Sequence, residues 1–380
     1  MTTMAKPLRE GNLKFCLDLY NELKTGEENL FFSPYSISAV MSMVLLGSRK
    51  NTAKQLKKGL GFSDVRDSNL HKEVAKILAG VKTAERFVNL KVVNKLFPEA
   101  TFSLETKFTK KCKKFYDATI DSQDFMGNAE NARQYINSWV QENTMGKIKN
   151  ILPQGSLNSH TRLVLANAVC FQGKWKGQFK VEETTRANFF VKPGKTVSVD
   201  MMFRSGYYEY TEDMDLKAQL VELPYRGRGV SMVIVLPEDK FGLAELEKKI
   251  NAGWILKMIN QFSSEEVKLK VPKMKLEQEF DLVDALKKLG INDVFDNGSA
   301  NLKGISPQKG LYVSKVAHKA FIEVDEEGTE AAAATAAALM GSCWLPPKKK
   351  KRVTCDHPFM FFLMREPTQT ALFCGRLSSV

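Results

Sequence analysis

Residues 325–357 place the strongest constraint on how this chain folds. The segment reads DEEGTEAAAATAAALMGSCWLPPKKKKRVTCDH and joins two strongly apolar, strand-like runs at 311–324 and 359–366. A connection of about thirty residues without regular structure is uncommon in a compact domain, and loops of that length usually have a function. We therefore expect the function of the chain to depend on this segment.

The first half of the segment is compatible with two conformations. Its alanine content, with Thr329 as a cap, favours an exposed helix. With a period of two, one face carries only small residues and a leucine, namely Thr329, Ala331, Ala333, Thr335, Ala337 and Leu339. The opposite face carries Glu330 as its only charge. Such a segment could be an exposed loop first and a central strand later, gaining roughly 1 kcal/mol of net hydrogen bonding per residue.

Helical and strand-like patterns do not alternate strictly along the rest of the chain. Helical patterns occur at 10–24, 34–47, 51–61, 104–116, 130–145, 241–261 and 278–289. Strand-like runs occur at 87–97, 162–171, 217–223, 230–236, 266–274 and 311–324, and two more close the chain. Helices dominate early and strands late, which predicts an α+β fold with large mixed or antiparallel sheets. No repeat or long linker precedes residue 325, so we expect one domain over residues 1–380.

Charge and cysteine usage narrow the class of protein. The net charge of +13 fits polyanionic partners or, more simply, scattered solubilising lysines. No two of the six cysteines lie close enough for a zinc motif, so no metal site or cofactor is expected. Four of them lie among apolar residues and are interpreted as buried thiols in a reducing compartment, namely Cys16, Cys112, Cys170 and Cys374.

The sequence near Met1 lacks the apolar core of a secretory signal, and no apolar run is long enough to span a bilayer. We expect a soluble protein made in the cytosol if Met1 is native, and a secreted one if the N-terminus is processed or export is unconventional.

Five separated motifs resemble those of the serpin family, in register and in the same order. EEGTEAAAAT resembles the hinge of inhibitory serpins, FFSPYSIS at 31–38 the entry to helix B, and LANAVCFQGKW at 165–175 strand three of the main sheet. YVSKVAHKAFIEV resembles strand five, and the two apolar runs at the C-terminus resemble the last strands of sheet B. The missing signal peptide and short C-terminus are most like the intracellular, ovalbumin-like (clade B) branch.

The resemblance implies a serpin fold with three β-sheets, eight to nine helices and an exposed reactive-centre loop at 325–357. It implies a hinge at 326–335, formed by Glu327, Gly328, Thr329, Glu330, Ala331, Ala332, Ala333, Ala334 and Thr335. It places Ser33, Ser36, Asn167 and His318 at the shutter, which holds the main sheet closed, and Trp175 at the breach, where the loop would enter.

In function, the resemblance implies a suicide substrate rather than an enzyme. A serine protease of the elastase, chymotrypsin or trypsin type would form its acyl-enzyme on the loop, and loop insertion would then trap it. A papain-like cysteine protease is a second class of target. No G-x-S-x-G motif is present, so His318 is interpreted as a structural hydrogen-bonding group and not as part of a triad. A monomer is expected. The alternatives are a non-inhibitory serpin and a serpin that binds glycosaminoglycan or nucleic acid.

The sequence leaves two alternatives for the reactive bond. Counting fourteen residues from Gly328, as in inhibitory serpins, gives Ser342 followed by Cys343. The loop departs from the family because it is several residues longer and includes PPKKKKRV, so Lys351 or Arg352 could be the bait for a trypsin-like protease. With cleavage at Arg352, the longer spacer would let the protease stay undistorted at the near end of the sheet after insertion, which argues against Arg352 as the reactive residue.

The same basic run resembles a nuclear-import signal and could also bind polyanions. Its candidate residues for polyanion binding are Lys348, Lys349, Lys350, Lys351 and Arg352. A second basic cluster, on the predicted helix 104–116, consists of Lys110, Lys111, Lys113 and Lys114. A solvated helix face is the simpler interpretation of this second cluster.

Overall fold

The structure is a computed structural model that describes residues 6–84, 88–227, 229–327, 350–366 and 368–380. The described residues form nine α-helices and thirteen β-strands. The helices are α1 (Lys6–Leu23), α2 (Pro34–Gly47), α3 (Lys50–Gly59), α4 (Asp67–Ala84), α5 (Thr106–Tyr116), α6 (Phe125–Asn143), α7 (Leu243–Lys249), α8 (Ala252–Asn260) and α9 (Val283–Lys288).

Helix α2 shows how local sequence sets an element that lies in the core. Pro34 occupies the first helical position, where its missing N–H costs nothing, and the Ser33 hydroxyl accepts a hydrogen bond from the Ser36 amide at 3.1 Å. The helix is apolar on nearly all sides and almost all of its residues are buried. It therefore packs inside the molecule and brings Ser33 and Ser36 to the sheets.

Four strands form a mixed sheet in the order β2 (Val88–Pro98), β3 (Leu163–Gly173), β10 (Lys315–Val324) and β9 (Met274–Asp281). The outer pairs are antiparallel, but β3 and β10 are parallel, with Asn167 opposite His318. Parallel neighbours cannot be joined by a hairpin, so the centre of this sheet is a pairing of two strands distant in sequence.

Nine strands form the second sheet. Its main path is β1 (Leu30–Phe32), β13 (Thr370–Leu377), β12 (Phe359–Arg365), β7 (Val230–Pro237), β6 (Ala218–Pro224), β5 (Lys195–Asp213), β8 (Ser263–Pro272) and β11 (Lys351–Thr354), with β4 (Thr185–Lys192) pairing β5. The 19-residue strand β5 pairs β6 near one end and β4 near the other, with β8 between them. The three expected sheets are therefore two by hydrogen bonding, because β5 continues through the second and the third.

A second, smaller hydrophobic core lies between α6 and the four-stranded sheet. Its members include Phe97 on β2, Ala166 on β3, Ile136 on α6, and Ala317 and Phe321 on β10. Helix α6 and the segment after it thus cover the face of the β3–β10 pair.

Several predicted elements differ from the structure. The helix predicted at 278–289 is wrong in its first part, because Gln278–Asp281 belong to β9 and only Val283–Lys288 are helical. The region 241–261 forms two helices, α7 and α8, and not one. Helix α4 and strands β1, β4 and β5 were not predicted, nor was β11, which lies within the predicted loop 325–357. The four cysteines expected to be buried are buried and free, and so is Cys355, whereas Cys343 lies outside the described residues.

Candidate functional site

The buried cluster around His318 connects β10 to three other elements. The backbone N–H of Ser33 donates to His318 Nε2 at 3.1 Å. Since Nε2 accepts, the ring proton lies on Nδ1 and donates to Asn167 Oδ1 on the adjacent strand β3. The Asn167 amide in turn donates to the Ser36 hydroxyl and to Asn94 Oδ1 on β2. The four predicted shutter residues Ser33, Ser36, Asn167 and His318 are thus brought together.

The histidine of this cluster stays neutral because it is buried. Burial lowers the pKa of His318 to about 3, so its imidazole is uncharged at physiological pH. His318, Asn167 and Ser36 are fully buried. The Ser33 hydroxyl also donates to the carbonyl of Leu372 on β13 at 2.7 Å, which links this cluster to the second sheet. Sliding β3 from β10 would break a fully paired buried network.

A second cluster, which contains the predicted breach residue Trp175, holds the backbone just after β10. The Trp175 ring is buried and stacks on Tyr225 with centroids 4.2 Å apart. Its Nε1–H donates to the carbonyl of Asp325 at 2.9 Å. The backbone N–H of Phe179 donates to the carbonyl of Glu326 at 3.1 Å. The first residues of the expected loop are therefore fixed by hydrogen bonds.

The Glu326 carboxylate adds a charged anchor at the same place. It lies 2.8 Å from Lys273 Nζ and accepts from the Thr184 hydroxyl at 2.8 Å. Burial raises the pKa of Glu326, but the hydrogen bonds from Lys273 and Thr184 outweigh that effect, and the net pKa lies below its ordinary value. The backbone carbonyl of Glu327, in the predicted hinge, accepts a hydrogen bond from Gln178 Nε2 at 3.3 Å.

The far end of the expected loop returns as strand β11. Lys351 and Arg352 pair in parallel with Val267 and Lys268 on β8. Lys350 Nζ lies 2.6 Å from Glu266, and Lys351 Nζ lies 2.7 Å from Glu212. Two of the five basic residues are thus already neutralised by acidic side chains.

The remaining predicted loop residues lie outside the part of the chain that the structure describes. They are Gly328, Thr329, Glu330, Ala331, Ala332, Ala333, Ala334, Thr335, Ser342, Cys343, Lys348 and Lys349.

The four lysines predicted on α5 are exposed, as expected for that helix. Lys113 Nζ contacts Asp117 at 2.5 Å, and Lys114 Nζ lies 5.6 Å from the centre of the Phe115 ring. Lys110 and Lys111 complete the cluster.

No group of three or more His, Cys, Asp or Glu side chains that could hold a metal occurs among the described residues. In the same ranges, none of the helices has both the length and the apolar character needed to cross a membrane.

Two residues of the site, Asn94 and Lys273, were not predicted from the sequence. Asn94 lies inside the apolar strand β2, where an isolated amide is itself a signal of a buried polar partner. Lys273 is distant in sequence from Glu326, which begins the predicted hinge, so their pairing has no sequence signal.

A mixed sheet with a parallel central pair, a polar cluster that bridges this pair, and a long connection that follows the central strand β10 define the serpin class of protein. The chain belongs to the serpin family. The profile of the family described as "Serpin (serine protease inhibitor)" matches residues 10–380.

Known relatives support the expected ovalbumin-like branch. The chain is 39% identical to Serpin B3 of Homo sapiens over 389 residues, which cover 98% of this chain and 99% of that protein. It is 38% identical to the leukocyte elastase inhibitor of Homo sapiens, with the same coverage. The solved structure of uncleaved ovalbumin matches with a TM-score of 0.89 and 30% identity, over 98% of this chain and all of that one.

Proposed function

We propose that the protein is a suicide inhibitor of serine endopeptidases, with residues 325–357 as its reactive-centre loop in a single domain over 1–380. One observation carries the proposal: the loop leaves from the end of β10, and β10 is parallel to its neighbour β3. A chain that reverses after β10 runs antiparallel to both strands. It could therefore pair with both if they separated, and serpin loop insertion is itself a known example of such strand addition.

The chemistry belongs to the protease. Its serine hydroxyl attacks the carbonyl carbon of the residue before the scissile bond, the peptide C–N bond breaks, and the new amine leaves. The loop is then attached to the protease by an ester. Insertion carries this ester along the sheet before water can hydrolyse it, and no side chain of the inhibitor acts as a catalyst.

We infer that Ser342–Cys343 is the reactive bond. Fourteen residues from Gly328 to Ser342 span at most about 46–50 Å when extended, which exceeds the roughly 33 Å length of a ten-residue strand such as β10. Cleavage there would carry the ester past the far end of the sheet. Lys351 and Arg352 are less suitable because their backbone is paired within β11 and is not free to enter a protease cleft.

The two clusters have opposite roles in this proposal. The shutter keeps β3 against β10 before cleavage, since insertion must replace their eight paired positions. The breach fixes the start of the inserting segment at Asp325 and Glu326, so that insertion begins from a defined register.

The target follows from the residue type before the bond. A small side chain such as Ser342 suits an elastase-like specificity pocket, and one relative is named leukocyte elastase inhibitor. We propose an elastase-like or chymotrypsin-like serine protease as partner, with papain-like cysteine proteases as a second class. Cytoplasmic location, nuclear entry through the basic run and a monomeric state belong to the same proposal.

Incubation with a panel of serine and cysteine proteases tests the function. We expect a complex that survives SDS and heat with an elastase-like or chymotrypsin-like enzyme, and mass spectrometry of the released fragment should give Cys343 as its first residue. A nicked chain without a complex for every enzyme would contradict the proposal and indicate a non-inhibitory serpin. Release of a fragment that begins at Val353 would move the reactive bond to Arg352.

The α5 cluster suits a solvated helix face better than a polyanion site. One of its four lysines is already paired with Asp117, and the aromatic ring of Phe115 lies under Lys114 and is only partly exposed.

A further inference from the structure

The outer surface of β5, β8 and β11 presents cations beside an exposed aromatic ring. We call it the outer basic face. Its members are Phe203, Ser205 and Tyr207 on β5, Lys268 and Lys270 on β8, and Arg352 and Thr354 on β11.

Strand register places these side chains in rows. Ser205, Lys268 and Arg352 are opposite one another across the three strands. Phe203, Lys270 and Thr354 form the next row on the same face, because residues two apart in a strand point the same way. The residues between them, such as Val267, Leu269 and Val353, are fully buried on the other face. The outer basic face is therefore the solvent side of this part of the sheet.

Three cations on this face lack an acidic partner among the described residues. Lys268 and Arg352 are direct neighbours on strands about 4.8 Å apart, and Lys270 lies about 6.6 Å further along β8. The nearest acid in the next row, Glu266, is already engaged by Lys350. Like charges placed side by side in a sheet are destabilising, so a bound anion would reduce the repulsion between these cations.

The aromatic residues select the kind of anion. Tyr207 is 75% exposed, which is unusual for so large an apolar ring, and it follows Ser205 along β5. Phe203 lies on the same face of β5, two residues before Ser205, and its side chain is partly exposed. Stacking on exposed rings combined with phosphate contacts is how proteins bind single-stranded nucleic acid, because every base has a face that can stack.

We propose that the outer basic face binds single-stranded nucleic acid, independently of protease inhibition. Arg352, Lys268 and Lys270 would each contact one phosphate, and the Tyr207 ring would stack on a base. A sulfated polysaccharide has no base for the ring, and a duplex hides its bases from a flat sheet surface. An acidic surface on a protease would use the cations but has no need for a free face of Tyr207.

Fluorescence anisotropy with a labelled 15-nucleotide oligothymidylate tests the proposal on the full chain. We expect the slope of log affinity against log salt to be about −2, since each of three phosphate contacts contributes about −0.7 for single strands. Lys268→Ala with Arg352→Ala should reduce that slope to about −0.7. Tyr207→Ala should weaken binding on the order of tenfold and leave the slope unchanged.

Lys110→Ala with Lys111→Ala is the matched control, because it removes two exposed lysines on α5. We expect it to leave oligothymidylate binding unchanged, and thermal melting should show that every variant is folded. Three outcomes would overturn the proposal: no binding at low salt, equal loss in the α5 control, or stronger binding of heparin than of oligothymidylate with no effect of Tyr207→Ala. Slower protease association in the outer-face variants without oligothymidylate binding would also overturn it and assign the face to protease docking.

Discussion

At the scale of single residues, His318 couples the stability of the molecule to pH. Its pKa is lowered to about 3 by burial, against an ordinary value of 6.5. Between pH 3 and 6.5 this histidine binds a proton in the unfolded chain but not in the folded chain. The free energy of unfolding therefore rises with pH in this window and decreases as the pH falls below 6.5. A protonated Nε2 would also no longer accept from the Ser33 amide.

We predict that the free energy of unfolding falls by roughly 1.4 kcal/mol per pH unit below 6.5 because of His318 alone. Urea unfolding of the protein and of His318→Gln, measured between pH 4.5 and 7, should show a shallower pH slope in the variant. His71→Gln is a second test variant and not a neutral control, because burial and then Lys111 lower the pKa of His71 to about 4, while Asp67 raises it. His71 therefore contributes its own slope, and an unchanged slope in His318→Gln would contradict the role of His318.

Glu326 is the second residue whose charge is tied to the fold. It is almost fully buried and lies 2.8 Å from Lys273, whose side chain is 40% exposed. Solvent at Lys273 weakens the pair, so we predict that Glu326→Gln lowers stability by only about 1 kcal/mol. Guanidinium unfolding measures the change, and Glu327→Gln is the control one residue along. An equal loss in both variants would contradict a specific anchor at Glu326.

At the scale of elements, α6 is held on β2 by a buried cation. Lys95 Nζ lies 3.1 Å from Asp121 and 4.6 Å from the centre of the Trp139 ring on α6, and its side chain is 9% exposed. The Trp139 ring also packs edge-on against Phe97, with centroids 5.6 Å apart. These contacts join α6 to β2, which is an edge strand of the four-stranded sheet.

We predict a coupling of about 1 kcal/mol between Lys95 and Trp139. Urea unfolding of Lys95→Met, Trp139→Leu and the double variant gives this coupling as the departure from additivity. Lys95→Met paired with the distant Trp254→Leu should be additive and serves as the control. Additive effects of Lys95→Met and Trp139→Leu would show that the cation and the ring do not interact.

How far elements could be predicted depended on whether their signals were local. The limits of α2 were predicted because Pro34 and Gly47 mark its ends locally. Strand β9 was mistaken for helix in part, although Met274 and Leu276 are buried with exposed residues between them, because the acidic stretch that follows resembles a helix start. Strand β5 had no clear signal, since its buried positions alternate only in part and its partners β4, β6 and β8 lie elsewhere in the sequence.

The site shows the same division. Ser33, Ser36, Asn167 and His318 were found through the motifs that surround them, and the structure brings all four together. The partners Asn94 and Lys273 could not be found, because a hydrogen bond or ion pair between distant strands depends on register, which a single sequence does not show. The net charge did not reveal which lysines are paired, such as Lys350 and Lys351, and which are not.

At the scale of the whole molecule, the proposal requires that the intact fold is not the most stable state of the chain. Insertion after cleavage would add a strand between β3 and β10, and about a dozen residues at roughly 1 kcal/mol each would outweigh the broken shutter contacts. We predict that cleavage near Ser342 raises the melting temperature strongly. Scanning calorimetry before and after limited proteolysis measures the shift, and equal melting of the intact and cleaved chains would contradict insertion.

Thr329→Arg and Glu330→Arg form a matched pair that separates insertion from every other consequence of cleavage. With a period of two, residue 329 would enter the packed side of the sheet and residue 330 the solvent side. A buried unpaired guanidinium is too costly to accept, so Thr329→Arg should abolish both the melting shift and protease trapping while the intact chain melts as before. Glu330→Arg carries the same charge at the adjacent position and should keep both. If the two variants behave alike, the small-residue face does not enter the sheet, and the driving force for trapping must be sought elsewhere in the molecule.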